Sequence, residues 1–238
     1  MNSSDPDSAT LAEDSAPPEY DGCQPAGGRS QRTLPGLHML KLSVGPLDNN
    51  AYLLTDPISG AQILIDAAAE PDRLIAEIDR QRLVGIVTTH QHPDHWQALP
   101  DVQAATGAVT YAHSLDAAAI APSKDAPTIT NMLEEGDELA LGQVKIGVIH
   151  LRGHTPGGLA LTYREPAGRS HIFSGDSLFP GGIGATATPE DFAALFADVS
   201  EKVFANYDDA TWVYPGHGND TTLGAERPQL PDWAMRRW

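Results

Sequence analysis

The chain contains one cysteine, Cys23, so no disulfide can form within it. It is also short of cations: 15 Lys and Arg stand against 32 Asp and Glu, for a formal charge of −17. That balance argues against recognition of a nucleic-acid backbone, which needs clustered Lys and Arg. It also means that an anionic substrate is repelled at long range and needs a strong positive charge close to its site. No apolar run reaches membrane-spanning length. The opening residues, MNSSDPDSATLAEDSAPPEYDG, are acidic and polar, without the apolar segment of a secretory signal. These absences predict a cytoplasmic protein with neither a membrane nor a nucleic-acid partner. They say nothing of oligomeric state.

What is present is enough apolar sequence, 41% of residues, to build a core. Residues 1–34 are rich in Ser, Asp, Ala, Pro and Gly without apolar periodicity, and are expected to form a disordered or loosely docked tail. Residues 35–238 show no linker or repeat and are expected to form one domain. Leu37–Val44 alternates as a half-buried strand does. Ala51–Leu54 and Gln62–Ile65 flank Pro-Ile-Ser-Gly and predict a hairpin. Helices are expected over Pro71–Gln81 and Trp96–Ala105, with strands at Leu83–Val87 and Ala108–Ala112. A second β-rich stretch follows, with strands at Glu138–Leu141, Val144–Leu151, Leu159–Tyr163 and His171–Phe173. Thr188, Pro189 and Glu190 read as the capped start of a helix carrying Phe192, Leu195, Phe196, Val199 and Val203 on one face. Trp212–Tyr214 is a last strand. Strands with a few helices, twice over, predict two sheets packed face to face with helices outside.

The chemistry gathers at strand ends. In VTTHQHPDHW, His90 and His92 are two apart, so on extended chain they point the same way, and Asp94 continues the alternation. His95 falls where the chain turns towards a helix. Imidazoles and a carboxylate converging at a strand end suit a borderline cation such as Zn²⁺. LRGHTPGG places His154, FSGDSLF places Asp176 and VYPGHGND places His217 at three further strand-to-loop junctions. Four such junctions agreeing is hard to read as coincidence.

HQHPDH, His154, Asp176 and His217 together resemble, in order, the metal motifs of the metallo-β-lactamase superfamily, from about Leu37 onwards. The resemblance implies an α+β fold, the αββα four-layer sandwich, with two divalent metal ions at one edge. It implies that His90, His92 and His154 hold the first ion, that Asp94, His95 and His217 hold the second, and that Asp176 bridges them. Asp66, ending Gln62–Ile65, resembles an aspartate of the family that hydrogen-bonds the metal loop. FSGDSLFPGGIG and GHGNDTTLGAERP are similar to segments of glyoxalase II-like enzymes in their short form, without a C-terminal helical domain. Ile183 stands where the family's G-G-C-G stretch has cysteine.

A water shared between two such cations is expected to be deprotonated near neutral pH and to attack a carbonyl carbon, with Asp94 expected to orient it. A thiolate leaves without general-acid help, so the expected activity is hydrolysis of a hydroxyacyl thioester or activated ester. A hydrolase of the same fold acting on a lactone or another ester, and a mononuclear iron persulfide dioxygenase-like oxidoreductase, are the alternatives. Zinc is the expected metal, with iron or manganese also suited to the donors. The expected partner is a small-molecule thioester or ester, whose binding residues the sequence does not reveal. Trp96 reads equally as pocket lining or core, Arg152 as a surface residue, and Phe179 to Gly184 as pocket rim. His38, His113, His150 and His171 read as ordinary strand or surface histidines.

Overall fold

The computed structural model describes residues 20–120 and 129–236. Among the described residues, β1 (Arg29–Leu34), β2 (Leu37–Val44), β3 (Asn49–Thr55) and β4 (Gln62–Ile65) pair antiparallel in chain order. Helix α1 (Pro71–Glu77) crosses to β5 (Leu83–Val87) and α2 (Leu99–Thr106) crosses to β6 (Val109–His113). Helix α3 (Ser114–Ile120) follows, and β7 (Asn131–Leu133) closes the sheet. Strands β4 to β7 run parallel, in the order β1-β2-β3-β4-β5-β6-β7.

The second sheet takes β8 (Glu138–Leu141), β9 (Val144–His150), β10 (Leu159–Arg164) and β11 (Ser170–Gly175) as an antiparallel meander. A small hairpin, β12 (Leu178–Phe179) with β13 (Gly182–Ile183), leads to α4 (Pro189–Asp198), which runs on as a π-helical turn over Val199–Phe204. Strand β14 (Trp212–Pro215) returns parallel to β11, β15 (Thr221–Thr222) edges the sheet, and α5 (Leu223–Glu226) and α6 (Leu230–Arg236) follow.

Three apolar cores make this a four-layer αββα sandwich. Leu37, Met39, Tyr52 and Leu54 of the first sheet meet Leu161, Phe173 and Tyr214 of the second between the sheets. Leu40, Leu42 and Leu64 face the opposite way, under Leu74, Leu99 and Ile120 of α1 to α3. Ile172 and Val213 are covered by Phe192, Leu195 and Trp233 of α4 and α6. Each such side chain contributes about 1.5–3 kcal/mol when fully buried. Helix α4 starts as its sequence implies: Thr188 Oγ1 accepts the Asp191 N–H at 3.1 Å, with Pro189 in the first turn. No described helix is long and apolar enough to cross a membrane.

Several expectations change. The tail was expected to reach residue 34, but Arg29–Leu34 is a full partner of β2. It is an edge strand held by backbone pairing, and its largely exposed face demands no apolar period. Residues 1–19 lie outside the described residues. Strand β2 is buried on both faces except at His38, rather than half-buried. The predicted helix at Trp96 begins instead at Leu99, after a 3₁₀ turn over Pro93–His95, because Pro100 is tolerated only in a helix's first turn. Helix α1 stops at Glu77, where Ile78 turns extended and Gln62 Oε1 takes the Asp79 N–H.

The β3–β4 turn is fastened to the other sheet by Asp56. Its carboxylate accepts Ser59 Oγ–H at 2.6 Å, the Ile58 N–H at 3.0 Å and, from the β8–β9 turn, the Gln143 N–H at 3.0 Å. These donors, Ser59 first, hold the carboxyl at about 2 against its ordinary 3.8. A depressed folded-state pKa means that the stabilisation is complete above 3.8 and is lost as pH falls towards about 2. Denaturant midpoints of wild type and Asp56→Asn should therefore differ most near neutral pH and converge across that acid window.

Candidate metal centre

The seven residues singled out as metal ligands follow the C-terminal ends of strands on one edge of the sandwich. His90 and His92 follow β5, and the 3₁₀ turn brings Asp94 and His95 back towards them. His154 lies in the β9–β10 loop, Asp176 directly after β11 and His217 two residues after β14. A bridge between Asn49 and His217, with the Asn50 N–H donating to Gly216 O at 2.7 Å, joins the first sheet to the β14 loop. Gly216 is required there because a Cβ would overlap Asp176 Oδ1.

The seven side chains face a common space. His92 Nδ1 lies 2.9 Å from His154 Nε2, and His95 Nε2 lies 3.2 Å from His217 Nε2. Asp176 sits between, with Oδ1 3.4 Å from His95 Nε2 and Oδ2 3.5 Å from His154 Nε2 and 3.4 Å from His217 Nε2. Asp94 Oδ2 is 3.4 Å from His217 Nε2. Three groups bring ligand atoms within 4.8 Å of one another: His90 with His92 and His154, His90 with His95 and Asp176, and Asp94 with His95 and His217.

The outer nitrogens explain why the rings point inward. His95 Nδ1 is 2.9 Å from Asp66 Oδ2, His154 Nδ1 2.7 Å from Ala185 O, and His217 Nδ1 2.8 Å from Leu47 O. Thr89 Oγ1 donates to Asp66 Oδ2 at 2.8 Å, so its lone pair is left for His90 Nδ1 at 3.0 Å. In four of the rings the δ nitrogen is thus occupied outside, which leaves Nε2 facing the centre. Asn49 Nδ2 donates to Asp94 Oδ2 at 2.9 Å.

The electrostatics suit a cation. Burial, with His95 beside it, pushes His90 well below the ordinary imidazole range, so it is neutral. Burial lowers His95 too, but Asp66 and Asp176 outweigh it and hold that ring at about 10. Burial also works against charge on Asp176, yet His217 and His95 keep it far below the carboxylate range. His90 Nε2 and Asp176 Oδ1 are buried without a hydrogen-bond partner. Two orphaned buried acceptors, each with a lone pair free, are what a divalent ion satisfies, and the mixed N and O set fits one of borderline hardness.

The other predicted residues separate. Asp66 bonds the loop that carries His90 and His95: besides His95 Nδ1 and Thr89 Oγ1, it accepts the Thr89 N–H at 2.7 Å. Trp96 packs against the core beneath α1 to α3, and its indole N–H holds Gln91 O at 3.0 Å. Arg152 forks onto Asp198 at 2.8 and 2.7 Å, tying α4 to the His154 loop. The Phe179 ring centroid stands 6.4 Å from that of His217. His113 stacks on His150, and His171 is buried between Glu165 and Tyr214, all outside the centre.

Sequence reading missed the residues that hold the His217 loop. Asn50 Nδ2 donates to Pro215 O at 2.9 Å and Gly218 O at 3.0 Å, and Tyr52 Oη to Pro215 O at 2.6 Å. Lys41 Nζ reaches Gly218 O at 2.7 Å and Asp220 Oδ1 at 2.6 Å, and Tyr20 Oη also donates to Asp220. A lysine inside the strand LHMLKLSV was the available signal. Both side chains of the Lys41–Asp220 pair are fully buried. Burial drives Lys41 down and Asp220 up from their ordinary values despite the attraction between them. Lys41→Met leaves Asp220 without its cation and should cost about 3–5 kcal/mol in urea unfolding, most of which Lys41→Met with Asp220→Leu should recover.

Residues 44–217 match the metallo-beta-lactamase superfamily. A hydroxyacylglutathione hydrolase of Fuscovulum blasticum is 36% identical over 173 residues, 71% of this chain and 62% of that enzyme, so the chain spans less than two thirds of it. The hydroxyacylglutathione hydrolase GloC of Haemophilus influenzae is 30% identical over 206 residues, 80% of this chain and 95% of that enzyme. The crystal structure of TTHA1623 in a di-iron-bound form superposes with a TM-score of 0.63 at 34% identity, covering 79% of this chain and 96% of that one. The αββα architecture, the edge-clustered histidines and aspartates, and these likenesses place the chain in the metallo-beta-lactamase superfamily.

Proposed function

We propose that the chain is a metal-dependent hydrolase of hydroxyacyl thioesters, glyoxalase II-like. The observation that carries the reading is the convergence of five imidazoles with Asp94 and Asp176, four of the rings fixed from outside through Nδ1 so that Nε2 faces inward. In this reading His90, His92 and His154 would hold one divalent ion and Asp94, His95 and His217 a second, with Asp176 available to both and zinc the first choice. Bound divalent ions supply Lewis acidity and lower the pKa of water in the site. Asp94 is the more open of the two acids, its side chain 24% exposed against 11% for Asp176. Burial raises Asp94, but Asn49 and His95 outweigh it and keep it ionised, so it accepts a hydrogen bond from the attacking water and orients it.

The leaving group follows from the same geometry. His90, His95, His154 and His217 have their outer nitrogens committed to Thr89, Asp66, Ala185 and Leu47. None of those rings has an N–H to spare for a departing atom. A thiolate leaves without protonation and an amine does not, which favours a thioester over an amide. The two hydroxyacylglutathione hydrolases similar to this chain support the acyl class. The one cysteine, exposed Cys23, suits a reducing compartment, and we place the activity in the cytoplasm.

Two measurements test this. Zinc-loaded protein should hydrolyse a hydroxyacyl-glutathione thioester, and Asp176→Ala and chelation should each abolish turnover; persistent turnover in Asp176→Ala would sink the bridging role. His95 carries a proton at neutral pH in the metal-free site, so zinc uptake should release about one proton or more and tighten as pH rises. Calorimetry in buffers of different ionisation enthalpy reads that number directly, and zero release would remove His95 from the ligand set.

A further inference from the structure

We infer that Asp116 is a positioning residue of the centre, its carboxylate clipping the loop that carries His90 and His92 to the loop that carries His154. Asp116 lies on α3 with none of its surface exposed. Oδ2 accepts the Gln91 N–H at 2.9 Å, and Oδ1 accepts the Gly157 N–H at 2.8 Å. Gln91 stands between His90 and His92, and its carbonyl is held from the other side by the Trp96 indole. Gly157 follows His154 by three positions in HTPGG. The two loops belong to different sheets, one after β5 and the other between β9 and β10. One side chain bonded to both thus sets how far His92 Nδ1 stands from His154 Nε2, 2.9 Å apart across the seam.

The residue type is demanded by the donors. Both loops present a backbone N–H, so the clip must accept at both ends. A carboxylate does so, whereas an asparagine turns its NH₂ against one of the two N–H groups. Gly157 is matched to it, since a Cβ there would stand 2.8 Å from Asp116 Cγ and Oδ1. The inference rests on reading His90, His92 and His154 as one ligand set, and its consequence is local. Loosening the clip should weaken that set and spare Asp94, His95 and His217, whose outer partners are Asn49, Asp66 and Leu47.

The test is zinc binding by chelator competition to full-length wild type, Asp116→Asn and His154→Ala, with metal-free melting temperatures measured alongside. Wild type should bind two equivalents and His154→Ala should lose one. Asp116→Asn should weaken one equivalent about 10- to 100-fold and leave the other unchanged. A purely structural role would lower the melting temperature and weaken both equivalents alike, or neither; either result overturns the clip. If His154→Ala binds both equivalents as wild type does, the ligand reading falls and the inference falls with it. Should Asp116→Asn fail to fold, Gly157→Ala, which pushes the loop off the carboxylate from the other side, is judged by the same outcomes.

Discussion

Asp66 directly follows β4 with φ +56°, a left-handed backbone uncommon for a residue other than glycine, though Asp enters it more readily than most. Three donors hold its carboxylate: the Thr89 N–H, the Thr89 hydroxyl and His95 Nδ1. Through Thr89 the same carboxylate reaches His90, and through His95 it reaches the far side of the centre. A single buried anion thereby fixes where the chain leaves β5 and how two of its imidazoles are turned. Without it, the rings of a histidine-rich loop would each choose their own rotamer and tautomer.

The centre also requires that two sheets meet in register at one edge. Apolar packing between them is not directional enough to do this. The register is set by polar side chains of the first sheet that bond carbonyls of the β14 loop: Asn50, Tyr52 and Lys41 on Pro215 and Gly218. Their burial is costly, and each is matched to an acceptor whose position it defines. Arg152 and Asp56 do comparable work further out, one between α4 and the His154 loop and the other between turns of opposite sheets. Polar contacts supply the geometry, and the three apolar cores supply the cohesion.

Much of the fold was legible because burial imposes a period. The apolar run Leu83–Val87 and the capped helix at Thr188 have a physical cause that acts within a few residues, whereas the alternation of Leu37–Val44 marked a strand without revealing that both its faces are buried. Elements held by pairing alone left no such trace. Strand β1 is polar and reads as tail, and β12, β13 and β15 are too short to show a period. Helix α3 has only seven residues, of which Asp116, Ala117 and Ile120 are buried, so its one polar anchor looks like surface charge.

The centre divides in the same way. His90, His92, Asp94, His95, His154, Asp176 and His217 could be picked out from sequence, because donors of this chemistry at four strand-to-loop junctions form a pattern that chance seldom makes. What surrounds them could not. Asn49, Asp116, Lys41 and Asp220 are ordinary residues in ordinary stretches, and they matter only because another loop arrives opposite them with an unpaired N–H, carbonyl or charge. The sequence by itself determined the donor set and the layers that carry it, since both follow from residue type and local period. Only the tertiary structure decided which nitrogen of each ring faces inward and what holds the loops at their spacing, since those depend on partners distant in the chain.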